Sequence, residues 1–452
     1  MLNINKHTFV KFLSQIIVSL FALTTSYAYG QDLLEIYDLA LQNDSALKQM
    51  HANRLAIGES KNQSVANFLP NVSFIGVNNL SRLTNNRATY QGSGVQKYLD
   101  KTYTLNLTQP IFHWEHWVQL SQSDNQIAQA EADFQAESQK LIVKITEAYF
   151  NVLSAEDNLK FINSEKQAIS RQLEQATQRY NIGLSDITEV REAQAAFDRT
   201  SASEIEALNE IDSKKEALIE IIGEQDIALK SLVNEIPLSR PDPDDISTWS
   251  DSAEDANFSI ISAFNQMEFA RKSIDLQRGG HFPKLDLVAS YGKYDSSSSF
   301  GLQGSTELVG LRLNVPLFEG GAINSKTDQA IYKYEQAKES LIAAKKAVKR
   351  QVKDAYRGVT SSISRVEALK TAVNSAEIAL QASQAGFEVG VRTLVEVLNQ
   401  QRDLYRAKRD FSRTRYDYLI NSIKLKQASS SLTQDDLERI NQLLTANPEI
   451  KK

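Results

Sequence analysis

His113 and His116 are the only pair of side chains in the chain whose type and spacing suggest a metal. Two imidazoles three residues apart fall on one side of a helix and could grip an ion. Trp114 and Trp117 interleave with them, however, and the four residues fall where an alternating segment gives way to a helical one. An interfacial position at a strand–helix junction is therefore expected, with no metal and no cofactor. Arg392 and Glu396 are spaced to form an ordinary ion pair on a solvated helix face. The chain carries no GxxxxGK[ST] phosphate loop, no HExxH helix, no GxSxG elbow and no GxGxxG fingerprint. With no cysteine, disulfides and thiolate chemistry are excluded. A net charge of −6 argues against a nucleic-acid partner. Nothing here is an enzyme's active site.

The elements around these residues are more informative. Lys6 and Lys11 precede an apolar run of about 13 residues, too short to span a bilayer as a helix, and Ser26-Tyr27-Ala28 then offers a small–x–small cleavage site. Residues 1–28 are expected to be a signal peptide. No later stretch has 18 consecutive apolar residues, so any membrane residence must use β-strands.

The chain also repeats itself. Asn106-Leu107-Thr108-Gln109-Pro110-Ile111-Phe112 returns as Arg312-Leu313-Asn314-Val315-Pro316-Leu317-Phe318, 206 residues later. Ala148-Tyr149, Tyr180-Asn181-Ile182-Gly183-Leu184 and Glu189-Val190 return at 207 as Ala355-Tyr356, Phe387-Glu388-Val389-Gly390-Val391 and Glu396-Val397. Phe68-Leu69-Pro70-Asn71-Val72 matches His281-Phe282-Pro283-Lys284-Leu285 at 213. A register kept this long means that the two halves build the same structure.

Each half opens with period-2 alternation. Tyr103, Leu105 and Leu107 alternate with Thr104, Asn106 and Thr108; Leu285, Leu287, Ala289 and Tyr291 follow the same rule, as do Val309, Leu311, Leu313 and Val315. The predicted strands are 68–82, 103–112, 283–295 and 306–318, each about the span of a tilted membrane strand. Tyr90, Tyr98, Tyr103, Trp114 and Trp117 cluster near strand ends, and Ser-, Gly- and Asn-rich loops are expected at 85–101 and 295–305. Four strands cannot close a barrel. Copies must pool them: two would give eight strands and a packed interior, three would give twelve and a pore.

The period then becomes helical. Leu141, Ile145, Ala148, Val152, Ala155 and Leu159 stand three or four apart, and the second half repeats the pattern with Val348, Val352, Ala355 and Val359. Helices of 115–181 and 322–388 are predicted, about 100 Å long at 1.5 Å per residue. Glycine turns at Gly183 and Gly390 stop them, and return helices of 187–222 and 393–430 follow. The organisation expected is a first repeat of 29–236, a proline-marked connector of 237–252, a second repeat of 253–430 opening with a helix of 253–278, and a tail of 431–452 with a short helix near 434–444.

With these features, the chain resembles the TolC family of outer-membrane efflux proteins. The densest blocks are Ala148-Tyr149-Phe150-Asn151-Val152-Leu153, Arg171-Gln172-Leu173, Thr177-Gln178-Arg179-Tyr180-Asn181-Ile182-Gly183-Leu184, Gly390-Val391-Arg392-Thr393 and Arg415-Tyr416-Asp417-Tyr418-Leu419-Ile420-Asn421. The resemblance implies a mainly α fold with a β-barrel portion. A homotrimer would supply four strands and two helical hairpins per protomer to an outer-membrane barrel and a long periplasmic α-helical barrel. It also implies a passive conduit for small molecules or proteins. Its partners would be outer-membrane lipid, a periplasmic adaptor of the membrane-fusion type and an inner-membrane pump of RND or ABC type.

The family closes its periplasmic end just past the glycine turns. The matching positions are Thr188, Glu189, Phe387, Arg392, Glu396 and Asn399. Here the family's two acidic rings become Glu396 and a neutral Asn399, Phe387 stands where tyrosine is usual, and Arg392 with Glu189 keeps a salt link available. A threefold ring of Glu396 would attract cations and raise its own pKa. Ile182, Gly183, Leu184, Val389, Gly390 and Val391 match the tips that meet the adaptor.

Overall fold

A computed structural model of the chain describes residues 30–89, 92–298, 301 and 303–445. The expected signal peptide and Tyr90 lie outside the described residues. The elements run α1 (Leu33–Asn43), α2 (Ser45–Ala66), β1 (Asn71–Thr89), β2 (Gly92–Phe112), α3 (Trp114–Asn181), α4 (Ile187–Ile222), β3 (Ser231–Leu232), α5 (Ile246–Ala256), α6 (Phe258–Arg278), β4 (Lys284–Ser296), β5 (Gln303–Asn314), α7 (Ala322–Glu388), α8 (Leu394–Ala428), α9 (Gln434–Asn441) and β6 (Leu444–Thr445). The duplication is structural: α3 and α7 have 68 and 67 residues, and α4 and α8 have 36 and 35. Among the described residues no helix is long and apolar enough to cross a membrane.

The chain forms two compact units. One takes its described residues from Met1–Ser45, Gln139–Trp249 and Val352–Lys452, the other from Ala46–Ser138 and Ser250–Gln351.

The second unit holds an antiparallel sheet in the order β1-β2-β4-β5, so the strand pairs of the two repeats join through β2 and β4. Directly paired residues share a face. The register therefore lines Val72, Phe74 and Leu80 beside Leu107, Leu105 and Leu99, sets Ala289 and Tyr291 beside Leu107 and Leu105, and places Val309 and Leu311 beside Ala289 and Leu287. Four alternating patterns become one apolar face. That face is not core: Phe74, Val309 and Leu311 are 68%, 78% and 67% exposed. Tyr103 lays its ring over Gly76, where a Cβ would meet it at 3.4 Å, and stacks on Phe74 at 6.3 Å. The register slips between Pro110 and Phe112, because proline has no N–H to give the ladder.

The first hairpin is longer than the sequence predicts. Ladder pairing runs through Arg82↔Lys97 and Asn85↔Gly94 to Thr89↔Gly92, across most of the expected loop of 85–101. Neither face of that extension keeps an apolar row, so the period-2 signal fades although the backbone pairing does not. The second hairpin breaks at Ser296, as expected from its run of serines.

The first unit is built on buried Ile145, Tyr149, Phe150, Leu218, Ile222, Leu229 and Leu437. Tyr149 donates its hydroxyl to the Lys230 carbonyl at 2.9 Å, with the Gln31 carbonyl at 3.1 Å. Gln31 in turn bridges Leu229, and β3 pairs with β6, so the segment that follows α4 is tied to both ends of the described chain. Arg415 donates to the carbonyls of Val233 and Asn234 at 3.2 and 2.8 Å.

Other local structures differ from the sequence expectation. Helix α1 begins with a reciprocal cap in which Asp32 accepts from the Glu35 N–H and Glu35 accepts from the Asp32 N–H. It buries Leu33, Ile36, Tyr37 and Ala40, which share one helical face. The single helix expected at 253–278 is two. Asn257 leaves the helical conformation and its side chain caps Ser259 at 2.9 Å, while Asp245 caps Thr248 and starts α5 inside the expected connector.

Candidate entrance at the hairpin tips

Both long helices end in the same hydrogen-bonded turn. After α3, Gly183 N–H donates to the Tyr180 carbonyl at 2.9 Å and Leu184 N–H to Arg179 at 2.8 Å. After α7, Gly390 N–H donates to Phe387 at 3.1 Å and Val391 N–H to Gly386 at 2.9 Å. The two glycines have φ of +77° and +80°, the left-handed region this stop requires. Apolar neighbours are pushed outward: Ile182, Leu184, Val389 and Val391 are 67–76% exposed. Each tip thus displays two aliphatic side chains around a glycine whose Cβ position is open.

Beneath the tips the hairpins share a core. Ile169, Leu173 and Ala176 of α3 pack with Val190, Ala193, Ala196 and Phe197 of α4, with Phe387 at the end of α7, and with Leu394 and Leu398 of α8. Phe387 is therefore an apolar member of this cluster, and the Arg179 guanidinium lies 5.2 Å from its ring centre. A tyrosine hydroxyl here would need a partner at the cluster's margin; phenylalanine needs none.

Helix α8 starts at Thr393 with a second reciprocal cap. Glu396 Oε2 accepts from the Thr393 N–H at 2.9 Å, and Thr393 Oγ1 accepts from the Glu396 N–H at 3.4 Å. The other carboxylate oxygen accepts from Arg392 Nη1 at 3.0 Å. Within the chain Arg392 thus pairs with Glu396 rather than with Glu189. The Thr393 N–H, and then Arg392, hold the Glu396 carboxyl below the usual glutamate range. In one protomer this is the reverse of the upward shift that a ring of like charges would cause.

Thr188 is exposed in the first turn of α4, and the half-buried Glu189 keeps its Oε2 without a hydrogen-bond partner among the described residues. Asn399 is exposed on α8 and lines a cleft of about 370 Å³ between α3, α4 and α8. Sequence reasoning missed the charged groups in that cleft: Glu165, Glu192, Arg199, Arg402 and Arg409. Glu165 is nearly fully buried, 3.9 Å from Arg409. Burial pushes its carboxyl up, against the pull of Arg409 and Arg402. The available signal was the spacing of Val395, Asn399, Arg402 and Arg409, which places them along one face of α8.

Two tandem hairpins of this length, each following a pair of strands in a sheet with an exposed apolar face, are the elements of a channel component. The family model described as "Outer membrane efflux protein" matches residues 36–224 and 249–431, and the chain belongs to that family. It is an outer-membrane export channel, a passive conduit and not an enzyme.

Among known proteins it is 34% identical over 422 residues to outer membrane protein TolC of Vibrio cholerae, covering 92% of this chain and 94% of that one. It is 29% identical to the alkaline protease secretion protein AprF of Pseudomonas aeruginosa, covering 91% and 87%. The crystal structure of the Campylobacter jejuni CmeC outer membrane channel superposes with a TM-score of 0.78 at 15% identity, covering 94% of each chain. At that identity the likeness establishes the fold.

Proposed function

We propose that three copies of this chain pool their strands into one twelve-stranded outer-membrane barrel, continued by their helical hairpins as a tunnel whose periplasmic entrance lies at the tips. The observation that carries this is the sheet itself. Among the described residues, β1 and β5 each have a partner on one side only, while the joined face is apolar and exposed. An unpaired edge in hydrocarbon is untenable, since each unsatisfied backbone group costs several kcal/mol. Pairing β5 of one copy with β1 of the next removes every edge, and three copies leave a lumen where two would leave a filled interior.

The entrance would be lined by Glu396 from each copy, with Arg392, Asn399, Thr188, Glu189 and Phe387 controlling its closure. The exposed tips around Gly183 and Gly390 would meet a periplasmic adaptor, which delivers cargo from an inner-membrane pump of RND or ABC type. AprF is named for protease secretion and other relatives for efflux. Both proteins and small molecules are accordingly proposed as cargo here.

Native mass spectrometry of the detergent-solubilised protein tests the assembly; a soluble monomer without affinity for lipid would end the proposal. Single-channel recording in planar bilayers tests the entrance. Glu396→Ala should lower cation selectivity and weaken block by multivalent cations, and a channel unchanged in both respects would remove Glu396 from the constriction.

A further inference from the structure

The second unit carries a cluster that export does not use. His113 sits between β2 and α3, with Glu115 and His116 in the first turn of α3, and one ligand atom from each lies within 4.8 Å of the others. His113 Nε2 is 2.9 Å from Asp286 Oδ1 on β4. An ionised carboxylate only accepts, so Nε2 carries the proton and donates. The other ring nitrogen, Nδ1, faces Glu115 Oε1 at 3.5 Å. His116 stacks on His113 with ring centres 4.7 Å apart, and its buried Nδ1 has no hydrogen-bond partner among the described residues.

We propose that His113 Nδ1, His116 and Glu115 bind a first-row transition ion of the Zn²⁺ or Cu²⁺ class, with Asp286 orienting the His113 ring from behind. A metal-bound histidine usually donates its other N–H to a carboxylate, which is the arrangement His113 has with Asp286. Two imidazoles and a carboxylate suit Zn²⁺ or Cu²⁺ and leave a fourth position for water; Mg²⁺ and Ca²⁺ prefer all-oxygen sites. Ligands about 2.1 Å from a tetrahedral ion lie about 3.4 Å apart, so the side chains must close by up to about 1.4 Å, within the reach of rotamer changes. The Lys284 ammonium sits on Glu115 Oε1, but its side chain is partly exposed and the carboxylate has a second oxygen to offer an ion. Glu115 and Asp286 outweigh Lys284 by one negative charge, and that charge offsets the positive end of the α3 dipole. Bound there, the ion would cross-link the end of β2 and the start of α3, with β4 held through Asp286.

The chain is convenient for the test because it has no cysteine, and the other histidines are His7, His51 and His281. Two of its three tryptophans, Trp114 and Trp117, flank the cluster. Purified full-length channel in detergent is titrated with Cu²⁺ and followed by electron paramagnetic resonance and tryptophan quenching. One tight equivalent with two-nitrogen hyperfine structure is expected, retained in His51→Ala/His281→Ala and lost in His113→Ala/His116→Ala. Asp286→Asn keeps all three ligands and should weaken binding about 10–100-fold, so it serves if the double variant fails to assemble. Fewer than two nitrogens in the wild type, or an affinity that survives both His113→Ala/His116→Ala and Asp286→Asn, overturns the proposal.

Discussion

Arg392, just before α8, and Glu396 in its first turn meet at 3.0 Å, on the carboxylate whose other oxygen caps the helix through the Thr393 N–H. One side chain thus stops a hairpin tip from fraying and holds its nearest cation. Any change to Glu396 at the entrance will also be a change to the start of α8. Thr393→Ala separates the two, because it removes half of the reciprocal cap and leaves the ion pair. It should cost about 1 kcal/mol locally and speed amide exchange in the first turn of α8 about fivefold, leaving cation selectivity unchanged.

Acidification acts on the same contact. A carboxyl held below its ordinary range stabilises the fold above its unfolded pKa, and that contribution is lost as pH falls through the folded value. Lowering pH through and below the usual glutamate range should therefore loosen the α8 cap. The tip amides of wild type, compared with Glu396→Gln, would report it: protection should fall with pH in the wild type and stay flat in the variant.

Glu165 has the opposite sign. Its carboxyl is pushed up by burial, so its contribution is complete below the usual glutamate pKa and is lost as pH rises through the folded value. The thermal midpoint of Glu165→Gln should gain on that of the wild type as pH rises above the usual glutamate range. A constant difference would mean that Arg409 compensates the buried charge throughout.

Gly183 and Gly390 stop the long helices at positive φ with open space where a Cβ would go. Alanine at either position then costs only backbone strain, about 1–2 kcal/mol, and asparagine less. Protease susceptibility of the tips should rise in the order Gly, Asn, Ala, at either tip independently.

Arg415 ties the segment after β3 to α8 with two hydrogen bonds from one guanidinium nitrogen. Arg415→Ala orphans the Val233 and Asn234 carbonyls at a cost of about 1–3 kcal/mol and should open residues 233–245 to limited proteolysis. Arg415→Lys should rescue it only in part, because a compact ammonium lacks the guanidinium's reach and fork.

Much of this was legible in one dimension. Alternation at Tyr103, Leu105 and Leu107, heptad spacing through Ile145 and Val152, and glycine at 183 and 390 report contacts two, three or four residues apart, which a sequence displays directly. Helix α2 was not legible, because most of its 22 residues are polar and only Leu47 and Ser64 are buried. Helix α1 was legible and missed: Asp32 and Glu35 spell a capping box ahead of Leu33, Ile36 and Ala40.

The sequence by itself determined the duplicated strand-pair-and-hairpin plan and the places where each hairpin turns, because local periodicity and glycine stops are properties of neighbouring residues. Only the tertiary structure decided that β2 lies against β4, that Phe387 shares a core with Ala193 and Leu394, and that Asp286 stands behind His113. Those pairings join residues far apart in the chain, and their register is chosen by the combined burial and hydrogen bonding of whole elements, which no short window of sequence contains.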